Sequence, residues 1–104
     1  MPTAMHMRYP GITLDQYDEA CEKVNWEGDV PDGAIFHVAS HDGEAMRVFD
    51  LWESPEQFQA FVESRLMPVL QGDMGIQSQP EVTLSEVHRM FAPRPIEAGA
   101  GVLV

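Results

Sequence analysis

RVFDLWESPEQFQAF, residues 47–61, decides the fold of this chain. Its first half is an apolar strand that runs into Trp52. Ser54 then offers a helix cap, Pro55 stands where a missing N–H is not needed, and Gln57 completes a capping box. Phe58, Phe61, Val62, Leu66, Val69 and Leu70 follow at helical spacing as one apolar face, and Pro68 is expected to kink or end the regular part of that helix. The stretch is therefore a strand running into a helix, with a bulky indole at the corner.

The same reading extends outward in both directions. Upstream, AIFHVAS (34–40) is a strand, and His41-Asp42-Gly43-Glu44 carries the Asp-Gly signal of a hairpin into the strand at 45–52. Before it, DVPDG (29–33) closes a helix predicted over about 13–26, capped by Thr13 with Gln16 three residues on, its stripe formed by Leu14, Tyr17, Cys21 and Val24. AMHMRY (4–9), ending at Pro10-Gly11, is a first strand, and VTLSEVHRMF (82–91) a fourth. The order strand, helix, strand, strand, helix, strand is the split βαβ pattern: an α+β, ferredoxin-like antiparallel sheet with two helices on one face. Residues 1–92 form this one domain, and 93–104, rich in Pro, Gly and Ala, are expected to be a flexible tail.

Bulk composition narrows the function classes. A chain of 104 residues with 17 acidic and 6 basic side chains carries a formal charge of −11, which repels phosphate backbones and anionic lipid. Neither nucleic acid nor membrane is an expected partner. The single cysteine, Cys21, permits no internal disulfide and fits a reducing compartment, and no apolar run approaches the roughly 18 residues of a membrane span. Without a secretory signal pattern, the cytoplasm is the expected location. Cys21 lies on the apolar stripe of its helix and reads as core.

Sorting each strand by alternation gives two sets. One gathers Met5, Met7, Tyr9, Phe36, Val38, Phe49, Leu51, Val87 and Phe91, apolar but for Arg47 and Arg89 among them. The other interleaves His6, Arg8, His37, Asp50, Glu86 and His88 with Ile35, Ala39, Val48, Trp52, Leu84 and Met90. That apolar load is heavy for an open surface. If this mixed face is covered, its ionisable groups need partners, which makes them candidates for a site or for a satisfied structural network.

The strand order, the DLWESPEQFQAF corner and the closing EVHRM segment resemble the dimeric α/β barrel superfamily, and within it antibiotic-biosynthesis-monooxygenase-like proteins. The resemblance covers about residues 3–92 and implies a homodimer in which two sheets meet as a barrel. It also implies a small pocket between sheet and helices in each subunit. The near-apolar face would then suit the barrel and the mixed face the pocket, with either face free to pack on the helices. Relatives that degrade haem pair such a Trp with an Asn on the first strand and a His on the second helix. Here the first strand has no Asn and the second helix no His, so haem ligation from the helix is not expected.

On this reading Trp52, Phe58, Phe61 and Val62 form a slot for a small aromatic or polyketide-like molecule. His37 or His88 acts as general base on an acidic phenol or enol, oriented by Asp50 or Glu86. The resulting carbanion meets dioxygen in a cofactor-independent monooxygenase step, or cyclises or isomerises. No cofactor or metal is called for: His37, His88 and a carboxylate could form a two-His-one-carboxylate set, but no spacing supports it. The competing reading is a non-catalytic small-ligand-binding or dimerisation module, in which loss of either His would leave turnover unchanged.

Overall fold

The computed structural model describes residues 1–93. Its elements are β1 (Thr3–Pro10), α1 (Leu14–Val24), β2 (Ala34–His41), β3 (Ala45–Trp52), α2 (Pro55–Phe61) and β4 (Glu81–Glu86). All neighbouring strands are antiparallel in the order β2-β3-β1-β4, the ferredoxin-like arrangement that the element order implies.

Both helix starts form as their sequences dictate. Thr13 Oγ1 accepts from the Gln16 N–H while the Gln16 side chain accepts from the Thr13 N–H, a reciprocal box. Ser54 Oγ accepts from the Gln57 N–H and donates to the Gln57 side chain. α1 ends at Asn25 with φ 60°, a left-handed turn that Asn tolerates. The Arg65 guanidinium donates to the Val24 carbonyl there, joining the end of α1 to the second helix with a charge suited to the dipole.

The second helix departs from expectation. Regular α geometry stops at Phe61, and the chain continues in wider π-helical turns over Val62–Leu66 and Pro68–Asp73. Pro68 does not end the helix. Its ring has no N–H to give to an i−4 carbonyl, and a wider turn lets the chain pass it without breaking. The stripe of α1 also shifts: Ala20 and Val24 are buried, whereas Leu14 is exposed.

The register corrects the sorting of faces. Met5 stands opposite Asp50, Met7 opposite Val48 and Tyr9 opposite Met46, while His6 stands opposite Phe49. Directly paired residues share a face. Met5, Met7 and Tyr9 therefore lie with His37, Ala39, Val48, Asp50, Trp52 and Leu84, and His6 and Arg8 lie with Phe36, Val38, Phe49 and Leu51. Each strand alternates as read, but β1 is one step out of phase with the expectation. Ile35 belongs to neither face; it is the extra residue of a bulge between Ala34 and Phe36 and is exposed.

β4 is also shorter than expected. Glu86 pairs with Thr3, the first residue of β1, and after the Val87 N–H donates to the Pro2 carbonyl no partner strand is left. Val87, His88, Met90 and Phe91 thus lie beyond the sheet, with Phe91 largely exposed. Of the expected tail, residues 94–104 lie outside the described residues.

The helix-covered face holds two adjoining cores. Tyr9, Ile12, Ala20, Met46, Leu70 and Ile76 build one; Met5, Trp52 and Phe58 build the other, flanked by Phe61, Val62 and Leu84, with Met7 touching both.

Candidate functional site

β3 places Asp50 and Trp52 two residues apart on the helix-covered face, so the indole can reach back to the carboxylate. Trp52 is 3% exposed, and its Nε1–H donates to Asp50 Oδ2 at 3.0 Å. Phe58 packs edge-on against the indole and Phe61 at a tilt, with centroids 5.6 and 5.5 Å away. The opening corner is thus both a core plug and the anchor of a buried carboxylate.

Pairing of β2 with β3 puts His37 directly opposite Asp50. His37 Nδ1 lies 2.6 Å from Asp50 Oδ1, and Asp50 is 7% exposed. An ionised carboxylate only accepts, so His37 turns an Nδ1–H to Asp50 and points Nε2 away from it. Tyr17, reaching across from α1, sets its hydroxyl 2.7 Å from His37 Nε2, its ring nearly parallel to the imidazole. Trp52 N–H donates to Asp50 Oδ2 and His37 Nδ1–H to Oδ1, so the carboxylate takes a donor on each oxygen, and Tyr17 Oη shares the one hydrogen of its contact with His37 Nε2. Burial, above all, pushes the Tyr17 phenol well above its usual range, with the Cys21 thiol beside it acting in the same direction, so Tyr17 keeps its proton.

Trp26, just past α1, lies 5.8 Å from the Tyr17 ring and 5.4 Å from His37. Its Nε1–H is buried with no partner among the described residues. Burial raises the Cys21 thiol too, which keeps it protonated; Cys21 is half-buried and stands outside both cores.

A cavity of about 190 Å³ opens on the helix-covered side toward β4, walled by Met7, Tyr9, Phe58, Val62, Leu66 and Leu70, and none of His37, Asp50, Trp52 and Tyr17 lines it. Val62, Leu66 and Leu70 come from the π-helical turns, and Phe58 is the ring that touches Trp52. Trp52 therefore ties the cavity wall to Asp50 and His37. On the opposite, open face of the sheet a shallow groove of about 450 Å³ runs over His6, Arg8, Val38, Arg47, Phe49 and Thr83.

Of the residues singled out from sequence, the structure joins His37, Asp50 and Trp52 by hydrogen bonds and sets Phe58, Phe61 and Val62 around the indole. It does not bring in Glu86 or His88. Glu86 ends β4 in solvent and His88 lies exposed past it; neither is a hydrogen-bond partner of His37 or Asp50. Tyr17 and Trp26 were missed. Tyr17 falls on the apolar stripe of α1; its phenol, which needs a partner once enclosed, is the signal available in the sequence. No group of His, Cys, Asp and Glu among the described residues is arranged to hold a metal ion.

No protein-family model matches the chain, and no curated protein matches it. Solved structures do. A protein of unknown function from Nitrosomonas europaea superposes with a TM-score of 0.68 at 17% identity, covering 90% of this chain and 96% of that one. SnoaB, a cofactor-independent oxygenase from Streptomyces nogalater, gives 0.61 at 10% identity over 89% and 97% of the two chains. A putative antibiotic biosynthesis monooxygenase from Chloroflexus aurantiacus gives 0.54 at 14% identity over 88% and 100%. The chain has the fold of these proteins, and the resemblance drawn from its strand-to-helix corner holds at that level. No helix among the described residues is long and apolar enough to cross a membrane.

Proposed function

We propose that this chain is a homodimeric enzyme of the cofactor-independent oxygenase type, in which His37 takes a proton from a small flat molecule. The observation that carries this reading is the 2.6 Å contact between His37 Nδ1 and the buried Asp50 carboxylate. It orients the imidazole with Nε2 away from Asp50 and against the Tyr17 hydroxyl, and the His37 side chain is 32% exposed. Trp52 holds Asp50 in place, while Phe58, Phe61 and Val62 offer the apolar contact a flat ring needs. Glu86 and His88 take no part.

The step conserves atoms and charge. A C–H or O–H bond of the substrate breaks, the proton passes to Nε2, and the electron pair delocalises over the substrate's ring and oxygen. Dioxygen then serves as oxidant of that anion. The oxygenase activity named for SnoaB on the same fold supports this choice among carbanion fates. The homodimer rests on the open sheet face, where Val38 is 40% exposed beside Phe36, Phe49 and Leu51, a patch suited to a second copy.

β-Tetralone, a bicyclic ketone with an acidic methylene, tests the base directly. In deuterated buffer without oxygen, the wild-type protein should accelerate exchange at that methylene, and His37→Gln should lose about 100-fold or more of the acceleration. Equal rates in the two proteins would remove His37 as the base.

A further inference from the structure

Resting on the reading of His37 as a base, we infer that Tyr17 is a catalytic residue and that the substrate is an enolisable ketone. The phenol is parked on Nε2 until a ketone oxygen draws it off, and it then holds the developing enolate. The starting point is an obstruction. The lone pair that must take the proton is already occupied by the Tyr17 hydroxyl at 2.7 Å. A substrate offering only an acidic hydrogen would have to break that bond with nothing in return. A ketone replaces it: its oxygen accepts the phenol's hydrogen, and the same movement uncovers Nε2.

Carbonyl oxygen and α-hydrogen lie on adjoining atoms, and so do the two groups that would receive them. Tyr17 Oη and His37 Nε2 are one hydrogen bond apart, with nearly parallel rings. As the α-C–H bond breaks, its proton goes to Nε2 and its electron pair forms the enolate C=C. The carbonyl π pair moves onto oxygen, where the Tyr17 hydrogen bond shortens. The phenol keeps its own proton, and no oxidant enters this step. A donor aimed at charge as it develops acts on the transition state more than on the bound ketone.

Tyr17→Phe keeps the ring and removes only the hydroxyl. In the β-tetralone exchange assay its kcat should fall about 100-fold to 1,000-fold with KM little changed, as for loss of one oxyanion donor. If His37→Gln loses exchange and Tyr17→Phe does not, or if Tyr17→Phe changes KM alone, the assignment of Tyr17 falls while the base survives. If His37→Gln also exchanges at the wild-type rate, both fall. Should Tyr17→Phe fail to fold, the wild type decides: β-tetralone should shift the Tyr17 ring resonances and tetralin, the same skeleton without oxygen, should not. A shift with both, or with neither, overturns the proposal.

Discussion

Asp50 is the residue on which the site turns. Each carboxylate oxygen takes a different donor, Oδ1 from the His37 ring and Oδ2 from the Trp52 indole, and little water reaches either. Asp50→Asn keeps the shape but supplies one acceptor where two are needed, so one N–H is left facing an amide hydrogen. Removing a hydrogen bond to a charged group costs about 1.5–3 kcal/mol. Denaturant unfolding of the variant should show a loss of that size, together with lost exchange catalysis. Unchanged stability would mean that Asp50 is not the acceptor of both bonds. His37, Asp50 and Trp52 were legible in the sequence because β2 and β3 are joined by a short hairpin whose register follows from its turn. Tyr17 was not, since nothing local tells which strand residue a helix side chain will meet.

At the scale of elements, the β2–β3 hairpin sets that register, and Asp42 sets the hairpin. Its Oδ1 accepts from the Glu44 and Ala45 N–H groups at 2.9 Å each, and Arg8 donates to Oδ2. These donors, the backbone pair foremost, pull the carboxyl down to about 2. The unfolded chain's Asp titrates near 4, so the folded state holds this group ionised more strongly. Its stabilisation is present above about pH 4 and disappears as pH falls through about 2. Asp42→Asn should thus be less stable than wild type at neutral pH, with the two curves converging in acid; parallel curves would contradict the turn's role. Elements were read well wherever a cap or a turn residue marked them. The errors fell where a distant partner decides: β4 stops because β1 has run out at Thr3, and β1's phase follows from Met5 meeting Asp50.

Over the whole molecule, the sheet has one face packed under helices and one open. The open face carries Phe36, Val38, Phe49 and Leu51 together with Arg8 and Arg47, two of only six basic residues in a chain of formal charge −11. Two copies meeting there would bring apolar surface together with their cations rather than with the bulk of their acid charge. Light scattering on the wild type should give a dimer, and Val38→Lys, which sets a new charge into that patch, should give a monomer. A monomeric wild type would leave the open face as ordinary wet sheet.

The claim that His37 is held as a neutral base by Asp50 is tested most directly by nitrogen NMR of ring-labelled histidine at neutral pH. A proton on Nδ1 of His37 and a bare Nε2 that accepts from Tyr17 are expected. Protons on both ring nitrogens, with the Tyr17 oxygen as acceptor, would make the pair a fixed ion bridge and leave the site without a base.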